Sequence, residues 1–496
     1  MEMGSDGFNS PQNPRQPAGV GLCPECDLLV PSKSKRNQKQ MTRLVRLPHV
    51  RGWLRIKLGV DKAIGFTILA RGWASLAGLI TVALIARFLS PAQQGYYYTF
   101  GSLIALQIVF ELGFSFVILQ MASHERAHLE FSSQGEIEGN PVAHARLASV
   151  LQKSVKWYSV AAVFLGMFLL IAGSYFFTKH YHGNEAVAWR VPWYATALAA
   201  TITFQLDPIL SFMEGCGFVH NVARLRLAQA VTGSTLAWAA LATHHGLFAP
   251  AMIIAGNAGV AFVWILLQRR LLLSLMRHNP GENRIRWMEE VWEFQWRIAV
   301  SWLCGYFIYQ LANPVLFAFR GPVVAGQMGM SLSLANALKS ISISWISTKA
   351  APFGGLIARK EYAALDALFF RALWQSIAVG TAGAAFIWAG SVYMNVADFH
   401  FARRILNPTA LGFLLSASIL DVIVFSEALY LRAHKQEKFL LISVLGALLV
   451  TGSTYYFGKY YGALGVVSAS LAIGVLFGLP LGTYTFLKYR RMWHVG

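Results

Sequence analysis

Charge is scarce in this sequence. Only 13% of its 496 residues are Asp, Glu, Lys or Arg, about half the share of roughly 25% usual for a soluble domain. Acid is scarcer than base, with 23 Asp and Glu against 42 Lys and Arg. Cysteine is nearly missing. Four residues exclude a small disulfide scaffold. No Walker loop, nucleotide-sugar site or metal triad occurs. None of the 13 His falls in the middle of a long apolar run, which argues against an intramembrane acyltransferase. What the chain does have is apolar surface: 55% hydrophobic residues and a mean hydropathy of +0.47. A soluble fold of this length would lack the polar residues to cover itself. The same excess excludes disorder for most of the chain. An all-α integral membrane protein remains.

A bilayer-crossing helix needs about 20 mainly apolar residues. Twelve stretches meet this: 63–86, 96–119, 157–178, 191–213, 222–243, 247–268, 298–319, 323–347, 371–391, 409–430, 439–457 and 462–487. The fifth, opening with Arg224 and Arg226, and the eighth, holding Lys339, are the weakest. With the N-terminus in the cytoplasm, 33 basic residues fall inside, seven outside, and Arg71 and Lys339 within spans. The positive-inside rule thus predicts both termini on the cytoplasmic side. The net charge of +19 reads as topology, not as a nucleic-acid footprint.

Composition divides the chain into a basic, largely disordered N-terminal segment 1–60, lobes 61–270 and 298–496, and an amphipathic cytoplasmic linker 271–297. Residues 284–297 mix Trp with Arg, as an interfacial helix does; residues 357–370 are a milder version. The segment 122–154 reads as the longest loop between spans. Cys23 and Cys26 form one C-x-x-C pair, half of what a zinc site needs. Met41 is an alternative start. Cys216 and Cys304 read as small apolar residues. No metal or cofactor is expected.

The two lobes echo one another. Arg87 to Gly95 and Arg320 to Gly326 each give a basic residue, a small residue before Pro, and Gly four after it. Pro91 and Pro322 are separated by 231 residues, as are Gly95 and Gly326. The turns at 212–220 and 430–438 are similar to each other, as are the starts of the sixth and twelfth spans at Gly246 and Gly462. Six spans per repeat is even, so the halves share one orientation and are related by an axis along the membrane normal. That arrangement places a site between two pseudo-symmetric six-helix lobes and favours a carrier.

The stretch 86–98, Ala-Arg-Phe-Leu-Ser-Pro-Ala-Gln-Gln-Gly-Tyr-Tyr-Tyr, followed by Glu111-Leu112-Gly113-Phe114, resembles the opening of polysaccharide-biosynthesis transporters. These are the Wzx-type O-antigen flippases of the MATE/MOP superfamily. Val324 to Ser331 and Tyr430 to Lys435 resemble second-half counterparts. The resemblance spans roughly residues 60–490. It implies a MOP/MATE-like fold of about 12 transmembrane helices in two lobes around a central cavity. It further implies a bacterial inner-membrane protein that carries lipid-linked oligosaccharide.

A charge inside a span costs a few kcal/mol on insertion scales, so it usually faces a wet cavity or a partner. Arg71 shares a face with Ser75 and Gly78. Lys339 lies beside Asn336 and Ser340. Tyr306, Tyr309, Gln310 and Asn313 form one stripe of the seventh span. Glu111 and Asp207 lie in the second and fourth spans, and Asp421 and Glu427 in the tenth. One reading is a polar cavity in which Arg71 and Lys339 attract a polyprenyl-diphosphate head group. Asn336, Gln310 and Asn313 would line it, Tyr306, Tyr309 and Trp345 would stack on sugars, and Glu111, Asp207 or Asp421 would carry a coupling ion. The other reading has Arg71 paired with Glu111 or Asp207 as interhelical glue, and Glu427 with Arg432. Beyond the flippase, the residues leave open a drug/cation antiporter, a glycan polymerase or acyltransferase, and a scaffold for other glycan-assembly proteins. Membrane lipids are the remaining expected partner, and nucleic acid is not one.

Overall fold

A computed structural model describes residues 62–494, apart from 132–136, 181–186 and 435–437. The N-terminal segment 1–60, with Cys23, Cys26 and Met41, lies outside the described residues.

The described residues are almost wholly helical. The first lobe contains α1 (Lys62–Phe88), α2 (Pro91–Ile104), α3 (Phe114–Arg126), α4 (Pro141–Lys179), α5 (Arg190–Gly215), α6 (Val219–Ala242) and α7 (Ala249–Leu267). A short α8 (Arg269–Arg277) and a turn at Trp287–Glu290 form the linker. The second lobe contains α9 (Trp292–Tyr309), α10 (Ala312–Arg320), α11 (Pro322–Ser347), α12 (Ala350–Ala358), α13 (Tyr362–Val396), α14 (Pro408–Ala433), α15 (Leu440–Ile473) and α16 (Leu479–His494). Among the described residues, eight helices are long and apolar enough to cross a membrane, or nine when α2 and α3 count as one bent span. The long helices α6 and α11 fall outside that set; they are the weak fifth and eighth stretches. Gly462, at φ +67°, divides α15, so the twelve expected stretches all find a helical counterpart. Large apolar side chains such as Ile171, Phe386 and Leu476 are exposed, as lipid contact requires.

Helix starts follow local chemistry. Ser90 caps α2: its Oγ accepts from the Gln93 amide at 3.2 Å, while the Gln93 side chain accepts from the Ser90 amide at 3.0 Å. Pro91 then fills the first turn, where no donor is needed. Asn140 before Pro141 and Asn407 before Pro408 start α4 and α14 in the same way.

Several expected boundaries are corrected. The second span is not straight: α2 passes through a 3-10 turn at Ala105–Gln107, breaks at Leu112 and Gly113, and resumes as α3 at an angle of 46°. Both break residues have positive φ; glycine adopts that conformation at no steric cost, while leucine is strained in it. The supposed loop 122–154 holds a hairpin, Leu129–Phe131 against Ile137–Gly139, and the first turns of the 39-residue α4. The seventh span starts at Trp292, inside the expected linker, and breaks between Tyr309 and Ala312. Pro314 lacks the amide hydrogen that would bond the Gln310 carbonyl.

Candidate functional site

The repeated Pro–Gly turns pack against each other. A Cβ on Gly95 would overlap the Pro322 carbonyl, and one on Gly326 would lie 2.9 Å from the Gly95 nitrogen. Only glycine lets the two backbones approach this closely. Gln94 Nε2 bridges the lobes, donating to the Gly326 carbonyl at 2.8 Å and the Arg404 carbonyl at 2.9 Å. Asn313 Nδ2 donates to Ser102 Oγ at 3.2 Å. Phe317 inserts among Tyr96, Phe176 and Phe177 of the first lobe. The repeat also holds inside each lobe: Gly246 packs on Leu89, and Gly462 lies against the Arg320 side chain. Leu89 and Arg320 are again 231 residues apart.

Away from this end polar side chains become more exposed. Arg71, Ser75, Gly78, Val82 and Ile85 form one stripe of α1, which Leu89 continues just past its end. Val82, Ile85 and Leu89 are buried, whereas Arg71 and Gly78 are exposed. In α11, residues 325–331 include Ala325, Gly326, Met328, Gly329, Met330 and Ser331, all buried; further along, Asn336, Ser340 and Trp345 are exposed. In α2, buried residues run to Ile104, and those from Ala105 to Leu112 are at least partly exposed. The lobes are thus tightly packed at the Pro–Gly end; further along, polar side chains of α1 and α11 are more exposed, while Ala335, Leu338, Ser342 and Ile346 stay buried.

A partly open cavity of about 240 Å³ lies within the second lobe. Helices α9, α11, α14 and α15 line it, together with a π-helical turn at Gly474–Gly478. Such turns recur at functional sites. Lys339 Nζ lies 3.4 Å from Asp421 Oδ2 and 4.3 Å from the centre of the Tyr309 ring. Asn336, Ser418, Ser443, Thr454 and Ser470 add polar groups to a mainly apolar wall. The first lobe carries a different polar cluster. Ser115 Oγ and Tyr158 hydroxyl are 2.9 Å apart, and Glu111 and Asp207 both lie close enough to act on Tyr158 electrostatically. Glu111 immediately precedes the Leu112–Gly113 break, and Asp207 precedes Pro208 inside α5.

The structure divides the expected residues. Lys339, Asp421, Asn336 and Tyr309 line the cavity of the second lobe. Arg71 belongs to the other lobe, and among the described residues it makes no ion pair with Glu111 or Asp207, contrary to the glue reading. Tyr306, Tyr309, Gln310 and Asn313 do not act as one stripe, because the helix breaks within it. Tyr306 is buried, Gln310 sits at the break and Asn313 joins the interlobe contact. Trp345, six residues after Lys339, lies roughly 120° around the helix from it. Glu427 accepts from Thr483 Oγ1 at 2.7 Å. The sequence reading missed the contributions of Ser443, Thr454 and Ser470. Small hydroxyl residues in apolar helices usually bond their own backbone, so their spacing carries no separate signal.

No family model and no curated protein matches the sequence. Solved structures do match in shape. A multidrug resistance MATE family transporter of the MOP superfamily, in an inward-facing conformation, superposes with a TM-score of 0.58 at 14% identity. The match covers 89% of this chain and 98% of that one. The fold is similar to that of the MATE transporters. The lipid II flippase MurJ, in an inward closed conformation, gives 0.53 at 12% identity, covering 87% of this chain and 91% of that one. The all-α, two-lobed membrane architecture expected from the repeat is therefore the architecture present.

Proposed function

We propose that this chain is an alternating-access flippase for polyprenyl-diphosphate-linked oligosaccharide. The observation that carries the reading is a basic residue on each lobe, Arg71 exposed on α1 and Lys339 lining the cavity of the second lobe. A cation on each lobe suits an anionic head group, whose phosphate oxygens pair well with Arg and Lys. The lipid tail would remain in the bilayer while the head group crosses. The closed Pro–Gly end would face the periplasm and the opposite end the cytoplasm, as the distribution of basic residues expects. The similarity to a lipid II flippase supports the cargo class.

The test is translocation of a fluorescent prenyl-diphosphate-linked sugar in proteoliposomes. Arg71→Ala with Lys339→Ala is expected to lower the initial rate at least on the order of tenfold, since loss of a charged hydrogen bond is worth about 1.5–3 kcal/mol. An unchanged rate would sink the head-group assignment.

The acidic pair Glu111 and Asp207 favours a second reading, a drug/cation antiporter. Two carboxylates near a broken helix would attract an organic cation. In that case ethidium efflux would depend on both acids, and the Arg71 and Lys339 substitutions would leave it intact.

A further inference from the structure

We propose that Lys339 and Asp421 form an exchange pair, in which a phosphate-bearing anion replaces Asp421 at Lys339 and Asp421 takes up one proton. This rests on the flippase reading and specifies how its cargo is charge-balanced.

Lys339 and Asp421 are the charged residues lining the cavity of the second lobe, and they have opposite signs. The surrounding wall of Leu332, Leu414, Val424 and Phe477 is apolar. An unpaired charge there is costly, so the empty site is held neutral by the ion pair at 3.4 Å. The pair is not sealed. The Lys339 side chain is 20% exposed and that of Asp421 40% exposed, so a ligand oxygen can reach the ammonium. A phosphate oxygen accepts from that ammonium as a carboxylate does. Once it binds, Lys339 stays paired, but Asp421 becomes a lone carboxylate.

The groups facing Asp421 limit how it is neutralised. Lys339 comes from α11 and Tyr309 from α9; α15 offers only Ser443, Thr454 and Ser470. Glu427, on the same helix as Asp421, is engaged by Thr483. Among the described residues no group of three His, Cys, Asp or Glu could hold a metal ion. A proton needs no coordination shell, and a metal cation does. The charges then balance. The empty site holds one ammonium and one carboxylate, and the loaded site one ammonium, one phosphate charge and one carboxylic acid. Each anion bound at Lys339 therefore brings one proton. The charge at the pair itself is therefore the same in the empty and the loaded state, and the second phosphate of a diphosphate lies on the open side of the cavity, towards water.

The experiment uses the purified full-length protein in detergent, with geranyl diphosphate and inorganic diphosphate as probes. Heat of binding and proton uptake from weak buffer are measured together. Wild type is expected to take up close to one proton per bound diphosphate. Its affinity should fall about tenfold per pH unit where uptake is complete. Asp421→Asn is expected to bind at least as tightly, with no uptake and a flat pH profile. Lys339→Gln should bind at least tenfold more weakly. The double variant Lys339→Gln with Asp421→Asn keeps the lobe neutral, so it supplies a folded, non-binding reference if Lys339→Gln alone unfolds. Stronger binding of geranyl diphosphate than of diphosphate would identify a lipid head group as the ligand; equal binding would identify free phosphate. Absent binding, binding without proton uptake, or undiminished uptake in Asp421→Asn would overturn the exchange pair. If uptake is seen but no prenyl-linked sugar crosses proteoliposomes, the flippase reading fails and the exchange pair stands.

Discussion

At the residue scale, the informative side chains are charges that the membrane would normally exclude. Asp366 shows what an ordinary structural ion pair looks like in this chain. Its carboxylate accepts from Arg490 Nε at 3.0 Å and Nη2 at 2.5 Å, and from the Tyr430 hydroxyl at 2.8 Å. His494 stacks on Tyr362, and Trp493 on His434. These contacts tie the end of α16 to α13 and α14, and every polar atom of the carboxylate is occupied. Asp366→Asn would leave Arg490 without its counter-charge. It is expected to cost about 2 kcal/mol, below the value for a fully buried pair because the guanidinium is partly exposed. Thermal unfolding in detergent would read this as a lower midpoint with translocation unchanged below it. Lys339 and Asp421 differ: their single contact is longer and more open, as a pair that must part requires.

At the scale of helices, breaks and close approaches matter more than regular segments. The second span bends where Leu112 and Gly113 take positive φ, immediately after Glu111. A Cβ on Gly113 would collide with Ile298 of α9, and Phe114 stacks on Trp287 of the linker at 4.4 Å. The bend is thus sandwiched between its own lobe and the entry to the second. The Pro–Gly turns act differently, as contact surfaces. Gly95→Leu would force α2 away from Pro322. Overpacking of this kind costs typically 1–3 kcal/mol, and about 1.4 kcal/mol shifts a two-state balance tenfold. The substitution is expected to weaken closure of this end. Labelling of a cysteine placed at Gln327 by an impermeant maleimide should then speed up by on the order of tenfold. An unchanged labelling rate would show that the glycine contact does not hold this end shut.

For the whole molecule, the two lobes meet most closely through α2 and α11, with a second contact where Gly113 packs against Ile298. Joining Ser102 to Asn313 by a disulfide should hold the Pro–Gly end closed. With Cys23, Cys26, Cys216 and Cys304 replaced by Ala, Ser102→Cys with Asn313→Cys is expected to lose translocation on oxidation and regain it on reduction. Transport by the cross-linked protein would contradict alternating access through this contact.

Much of this architecture was legible in the residues, and for identifiable reasons. Apolar runs of bilayer length mark helices whatever their neighbours do. The 231-residue offset between Pro91 and Pro322 marks the repeat, because a proline and a glycine at fixed spacing serve one backbone geometry wherever they occur. The site was legible only in part. Lys339, Asn336, Tyr309 and Asp421 stood out as polar residues in apolar helices, and they line one cavity. Their partners in space did not follow from the sequence. Lys339 and Asp421 touch, whereas Arg71 lies exposed on the other lobe, although all three look alike as isolated intramembrane charges. Asn313 shared a helical period with Tyr309, but the break before Pro314 turns it to the interlobe contact; Tyr306 is buried outside the cavity lining. Composition and periodicity act locally, so the sequence determined the membrane class, the helices and their twofold repetition. Which charges pair, where a helix bends and which end is shut depend on contacts between residues far apart in the chain, 82 positions for Lys339 and Asp421 and 232 for Gln94 and Gly326. Only the packing of the two lobes decided those.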